Sequence, residues 1–305
     1  MLKMTDAVVI LILHKDAKDM IKYNCNTCDR INSEVMIHFT KNCPNKCPFC
    51  IDNINKGVEE REPDLDAIWM SLEKCLPYIN TVTISGGEPC IYMEKLLELV
   101  NKIKENTNLK VIVITALPKV CSDKRSLFYE ICDKIDSLQI SAQHHIESIA
   151  STIVNSHSLY YPRYEFMYDF PFKEKTTISI NIVRGFFNTK QDILDSIMHF
   201  NKMGYKDIKI AEMFDADNYY VDIPKMLGIK MKSPFAHGCK TEYDIKPLLP
   251  EFDGRLTIKR TCFLRTNKQE ASLADLFKMI TRYIKKKTYC FGVIHEDGTV
   301  APYWI

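Results

Sequence analysis

Val35-Met36-Ile37-His38-Phe39-Thr40 runs directly into Lys41-Asn42-Cys43-Pro44-Asn45-Lys46-Cys47-Pro48-Phe49-Cys50. The first six residues are mostly apolar and read as a buried strand. The next ten read as a loop stiffened by Pro44 and Pro48, with thiols at Cys43, Cys47 and Cys50. Three thiolates this close converge on one soft metal centre, and thiolates select iron–sulfur clusters, zinc or copper(I). Zinc ordinarily takes four protein ligands, usually in two pairs. Three thiolates with no local fourth suit a [4Fe–4S] cluster that keeps one iron open for a small molecule. A zinc knuckle that borrows a fourth ligand from elsewhere in the chain is the alternative.

The pattern continues outward from this strand. Strand-like runs recur at Thr81–Ser85, Lys110–Thr115, Ser137–Ser141, Thr177–Val183 and Asp207–Glu212. Between them Asp64–Leu76, Tyr92–Lys104, Lys124–Asp133 and Thr189–Met203 carry apolar residues at helical spacing. This alternation predicts parallel βαβ units with right-handed crossovers, hence an α/β fold, either an open barrel or a doubly wound sheet. Chemistry in such folds sits at the carboxyl ends of the strands, where the cysteine loop lies. The alternation stops near Asp215. Residues 219–261 read as loop-rich, with Pro224, Pro234, Pro247 and Pro250, and Ser272–Lys286 reads as a helix. Phe291–His295 and Thr299–Tyr303 then flank Glu296-Asp297-Gly298, a hairpin turn signal.

A second motif, Thr83-Ile84-Ser85-Gly86-Gly87-Glu88-Pro89, follows the second strand. Paired glycines let the backbone turn and approach a ligand closely. Cys-x3-Cys-x2-Cys after the first strand and Gly-Gly-Glu-Pro after the second together resemble the radical S-adenosylmethionine superfamily. The nearest likeness is to the branch with C-terminal auxiliary cluster domains, which holds the molybdenum-cofactor cyclase and peptide-modifying enzymes. The resemblance covers residues 34–215 and implies a partial (β/α)6 barrel there. An N-terminal extension (1–33) precedes it, and a small C-terminal α+β appendage (216–305) follows. It also implies a [4Fe–4S] cluster on Cys43, Cys47 and Cys50 that reductively cleaves S-adenosylmethionine to a 5′-deoxyadenosyl radical. That radical would abstract hydrogen from a peptide or small-metabolite substrate, with a flavodoxin or ferredoxin as electron donor.

Residue roles follow from the same resemblance. Phe49 packs by the adenine. The backbone at Gly86 and Gly87 receives the ammonium of the methionyl part, and Glu88 and Pro89 shape that loop. Ser141, Asn181, Glu212 and Met213 line the cofactor, and Arg184 faces the cavity. His144 and His145 follow the fourth strand, where they would bind a polar group of the substrate or relay a proton; a capping role for the pair is the alternative.

Cys239, Cys262 and Cys290 each have a glycine or a cationic residue within three positions, a setting that favours thiolate. They resemble the auxiliary-cluster ligands of that branch and imply a second [4Fe–4S] cluster. The closing pattern of Cys290, Asp297, Thr299 and Pro302 is similar to the branch's final hairpin, but Tyr303-Trp304-Ile305 stands where its last cysteine would be. One three-thiolate auxiliary cluster therefore fits better than two clusters. Cys25-Asn26-Thr27-Cys28 is half a metal site and receives no role.

Composition narrows the classes. Apolar residues make up 46 % of the 305, enough for a sizeable core. Twelve cysteines in a chain this long point to metal binding rather than to a small secreted disulfide scaffold. Ala7–Leu13 is too short for the core of a secretory signal, and no run approaches the roughly 18 apolar residues of a membrane span; a cytoplasmic protein is expected. With 41 basic and 39 acidic residues, the net charge of +2 argues against a chain that coats nucleic acid. That weakens a third reading, a zinc-binding nucleic-acid module. A glycyl-radical-enzyme activase is a further alternative, weakened by the long cysteine-bearing appendage.

Overall fold

Leu138, Ile140, Ile178, Ile180, Ile182, Ile208, Ile210, Leu256 and Ile258 are almost completely buried and fall on one phase of their strands. Gln139, Ser141, Thr177, Ser179, Asn181, Lys209 and Thr257 fall on the other. Successive strand residues point to opposite faces, so the apolar phase makes a continuous layer. That layer joins one core with helix residues such as Ile68, Leu72, Leu96, Leu99, Ile131, Ile193 and Ile197. Each such side chain removed from water contributes about 1.5–3 kcal/mol. The polar phase is left as the inner wall of an open barrel.

The computed structural model describes residues 34–50, 61–154, 162–213, 218–230, 240–260 and 292–301. Strands β1 (Glu34–His38), β2 (Thr81–Ser85), β3 (Lys110–Thr115), β4 (Ser137–Ser141), β5 (Thr176–Ile182) and β6 (Asp207–Glu212) pair in chain order, all parallel. Parallel neighbours require crossover connections, which here carry helices. These are α1 (Leu65–Cys75), α2 (Met93–Asn106), α3 (Lys119–Asp123), α4 (Arg125–Lys134), α5 (Glu147–Ile153), α6 (Arg163–Tyr168) and α7 (Lys190–Lys202). Local signals fix their starts. Asp64 caps α1 by accepting from the Ala67 amide at 3.0 Å. Thr189 and Asp192 form a reciprocal capping box on α7.

Later segments join the same sheet at both edges. After the short helix α8 (Ile223–Leu227), β7 (Lys240–Tyr243) runs antiparallel to β8 (Arg255–Lys259), and β8 is parallel to β6. At the other edge β9 (Gly292–Ile294) lies parallel to β1 and is closed by β10 (Val300–Ala301). The result is a ten-stranded, mostly parallel sheet of order β10-β9-β1-β2-β3-β4-β5-β6-β8-β7.

The hairpin turn stands at Asp297-Gly298 as expected, with Gly298 at φ +80°. In the described part of the loop-rich stretch 219–261, Pro247 and Pro250 lie between β7 and β8, and β8 keeps a plain alternation with Leu256 and Ile258 buried. Residues 162–172 supply core, since Phe166 and Phe170 pack on Phe128 and Tyr129. No helix among the described residues is long and apolar enough to cross a membrane. The expected strand Ala7–Leu13 and helix Ser272–Lys286 lie outside the described residues.

Candidate active site

The cysteine loop leaves β1 at the carboxyl rim and is held by backbone contacts to the segment after β2. Phe39 N–H donates to Ser85 O at 2.8 Å, extending the ladder by one step. Gly87 N–H donates to Thr40 O at 2.6 Å, and Glu88 N–H to Asn42 O at 2.7 Å. This proximity explains both glycines. A Cβ on Gly87 would stand 2.3 Å from Asn42 O, and one on Gly86 would stand 2.7 Å from Thr40 O. Gly86 also sits at φ +126°, a conformation that side chains disfavour. Asn42 N–H turns back onto Thr40 Oγ1 at 3.0 Å. Further along, Lys46 N–H donates to Val154 O, just past α5, and Cys50 N–H to Cys47 O.

Cys43, Cys47 and Cys50 are half-buried free thiols. Burial, then the carboxylate of Glu88, pushes the Cys43 thiol far up. Burial, then Cys50, pushes Cys47 up to about 12. Two thiols that resist ionisation, brought together with a third on one loop, need a strongly cationic partner before they can exist as thiolates. The Asn45 amide donates to the Cys43 sulfur, a bond that favours the thiolate. The Asn45 side-chain oxygen is buried without a partner. The donor set and its surroundings thus fit an iron–sulfur cluster.

Glu88 is buried beneath this loop. Its carboxylate accepts from Cys90 N–H (3.0 Å), Thr115 Oγ1 (2.7 Å) and Ala116 N–H (2.7 Å). Burial raises its pKa while these three donors pull it down. The side chain therefore ties the ends of β2 and β3 together, which leaves the backbone before it to meet a ligand.

Residues 32–147 match a family model described as a 4Fe-4S single cluster domain. A curated relative, the S-adenosylmethionine-dependent nucleotide dehydratase RSAD2 of Oncorhynchus mykiss, is 27 % identical over 195 residues, 61 % of this chain and 53 % of its own. The chain is similar to radical S-adenosylmethionine proteins. It spans about half the length of that relative. Two solved structures share its fold. Streptococcus suis SuiB bound to precursor peptide SuiA gives a TM-score of 0.55 at 17 % identity, covering 94 % of this chain and 61 % of SuiB. Native anSMEcpe with bound AdoMet and Cp18Cys peptide gives 0.53 at 14 % identity, covering 88 % and 73 %.

The remaining rim divides by strand phase. Ser141 and Asn181 are half-buried on the polar inner face. Glu212 is paired in register with Ile182, on the phase opposite Asn181. Its carboxylate is used by Arg260 Nε (3.2 Å) and by the Ile223 amide (3.3 Å), so it joins β6 to β8 and α8. Met213 is buried beside it. Phe49 meets Tyr219 edge-on, centroids 6.0 Å apart, across the rim. Tyr219 O accepts from the exposed Arg184's amide at 2.9 Å. Tyr219 was not singled out from sequence; one tyrosine in a loop carries no signal until the fold sets it against Phe49.

Arg163 is the second residue that sequence reasoning missed. It is 3 % exposed, and its guanidinium donates to Ala116 O (3.1 Å), Ser141 O (3.4 Å) and Ala142 O (2.9 Å). It staples the carboxyl ends of β3 and β4 from behind.

His144 and His145 stack at 4.4 Å and lie toward the outer layer. His145 Nδ1 is 2.9 Å from Ser196 Oγ on α7. His144 Nδ1 accepts from the Ile146 amide, and its ring packs on Phe187. Burial, then His145, lowers His144 to about 4, so the ring is neutral near pH 7. Gln143 precedes them at φ +72°, buried, with an unpartnered side-chain oxygen. Cys239, Cys262, Cys290, Cys25 and Cys28 lie outside the described residues.

Proposed function

We propose that this chain is an enzyme that holds a [4Fe–4S] cluster on Cys43, Cys47 and Cys50, binds S-adenosylmethionine beside it, and acts on a polar small metabolite. The observation that carries the reading is the lock between the cysteine loop and Gly86-Gly87. Two amides reach the loop backbone at 2.6 and 2.7 Å, and no space is left for a side chain at either glycine. Such contacts fix three thiols and a backbone ledge in one frame, the pre-organisation that a cofactor chelated at an open iron requires. When bound, the two groups supply one-electron cleavage of the sulfonium to a 5′-deoxyadenosyl radical that takes a hydrogen atom from substrate.

The chain's own residues do the positioning. Glu88 fixes the ledge and Arg163 the ends of β3 and β4. Ser141 and Asn181 offer hydrogen bonds from the inner wall, and Phe49 with Tyr219 offers an aromatic edge for a base. A nucleotide-like substrate suits a wall that also carries Lys209 and Lys259, and the 27 %-identical relative is a nucleotide dehydratase. A peptide is the second reading, supported by the two fold relatives seen with peptides. An auxiliary cluster on Cys239, Cys262 and Cys290 and a flavodoxin or ferredoxin donor belong to the same proposal, as do roles near substrate for Arg184, His144 and His145.

The test is anaerobic reconstitution followed by reduction in the presence of S-adenosylmethionine. The wild-type chain is expected to release 5′-deoxyadenosine, and the Cys43→Ala, Cys47→Ala, Cys50→Ala variant none. Product from that variant, or colourless zinc-loaded wild-type protein, would defeat the reading. About 4 iron per chain left in the triple variant would support the auxiliary cluster.

A further inference from the structure

β1 has two neighbours. β2 supplies the glycine ledge on one side; β9 and β10 lie on the other, and their turn carries a buried polar knot. Glu296 is 4 % exposed. One of its carboxylate oxygens lies 3.2 Å from His38 Nδ1, and the other lies 3.3 Å from Lys41 Nζ. The His295 ring stands 5.6 Å from that of His38. Ligand atoms of His38, His295 and Glu296 all lie within 4.8 Å of one another. Two imidazoles and a carboxylate at that spacing have the composition of a divalent-metal site. Lys41, however, already gives the carboxylate its cation, from a position where an ion would compete with it. The knot is an ion-pair network centred on Glu296.

Its value lies in what it joins. His38 ends β1, and Lys41 stands two residues before Cys43. On the far side, Glu296 O accepts from the Asp64 amide at 2.8 Å, at the start of α1. Gly298 O accepts from Ser71 Oγ at 2.5 Å, and a Cβ on Gly298 would stand 2.5 Å from Ala67 O. The turn is thus seated on α1 before it reaches across to the loop.

We propose that Glu296 is a positioning residue for the cluster: through Lys41 and His38 it clamps the backbone entering Cys43 to a hairpin that is itself fixed on α1. This rests on the reading that Cys43, Cys47 and Cys50 hold the cluster. The glycine ledge holds the loop from the β2 side, and Glu296 holds it from the β9 side.

The test uses the anaerobically reconstituted full chain and follows the electron paramagnetic resonance signal of the reduced cluster that responds to S-adenosylmethionine, timing its loss to a chelator. Glu296→Ala and Lys41→Met are each expected to speed that loss roughly tenfold, the scale of one charge-assisted hydrogen bond. The double variant is expected to be no faster than Glu296→Ala alone, because that change already removes the Lys41 contact. Glu296→Gln keeps an oxygen for His38 but loses the ion pair, and falls between. Lys41 is partly exposed, so Lys41→Met carries the test even where Glu296→Ala does not fold. Equal loss rates in wild type and Lys41→Met, or additive effects in the double variant, overturn the proposal. A wild-type chain that shows no such signal overturns the cluster reading instead, and this proposal with it.

Discussion

Replacing Gly87 by alanine isolates the contact on which the site reading rests. The added Cβ would stand 2.3 Å from Asn42 O and 2.8 Å from two backbone carbons, against about 3.4 Å for an ordinary contact. The obstacle is backbone, so no side chain can swing away, and the two segments must part by roughly 1 Å. Hydrogen bonds now at 2.6 and 2.7 Å would then exceed bonding distance. Two lost backbone bonds cost about 0.5–1.5 kcal/mol each, and forced overpacking typically adds about 1–3 kcal/mol. The expected destabilisation is about 2–6 kcal/mol. The displaced segment leads straight into Cys43, so iron content after reconstitution should fall as well. Gly185→Ala is the control: it sits at φ +92° but has nothing within 4 Å of the added carbon. It should cost about 1–2 kcal/mol of backbone strain and leave iron unchanged. Urea unfolding and an iron assay on both variants decide the matter. If Gly87→Ala unfolds within about 0.5 kcal/mol of wild type, inside the range of an ordinary surface change, and still loads iron, the ledge does not grip the loop.

Three further outcomes follow from buried polar groups. Glu88→Ala strands the donors of Cys90, Thr115 and Ala116, and should cost about 3 kcal/mol in urea unfolding; Glu88→Gln, which keeps one acceptor, should recover part of that. Arg163→Met takes the guanidinium away from the Ala116, Ser141 and Ala142 carbonyls, the last of which keeps the Tyr164 hydroxyl, and should lose about 2–4 kcal/mol, with little rescue by lysine, whose point charge cannot span the three oxygens. His144 is held at about 4 in the fold by burial and then by His145, below its unfolded value near 6.5. The unfolded chain therefore takes up the proton first, and stability of the metal-free protein should fall as pH drops from about 6.5 to 4. His144→Asn, which keeps an acceptor for the Ile146 amide, should flatten that slope when unfolding midpoints are compared at pH 7 and 4.5.

The six-strand alternation was legible because isoleucine, valine and threonine runs ended in polar or glycine residues, and four of the six strands match to the residue. β8 was hidden: its five residues follow a proline-rich connection, and their pairing with β6 depends on a contact far along the chain. The cysteine triplet and Gly86–Pro89 were readable as local patterns. Arg163 was not, because an arginine in an aromatic run looks like any other until the ends of β3 and β4 are placed around it. Glu212 illustrates a different limit. Its position at the end of β6 was clear, but its phase was not, and one residue of register decides whether a side chain meets the inner wall or the outer layer.

The hairpin on β1 also bears on the order in which the protein is assembled. His38 meets Glu296 across 258 positions of chain. Chains leave the ribosome at about 5–20 residues per second, so β1 and the cysteine loop wait at least about ten seconds before their outer neighbour is made. During that interval β2 through β6 can add in sequence, each strand beside the one before. The loop, meanwhile, has support on one flank only. Cluster delivery during synthesis would therefore meet an accessible, loosely held loop, and completion of β9 and β10 would close the frame around it. The His38–Glu296 contact is therefore made only after the cysteine loop and its inner neighbours have been synthesised.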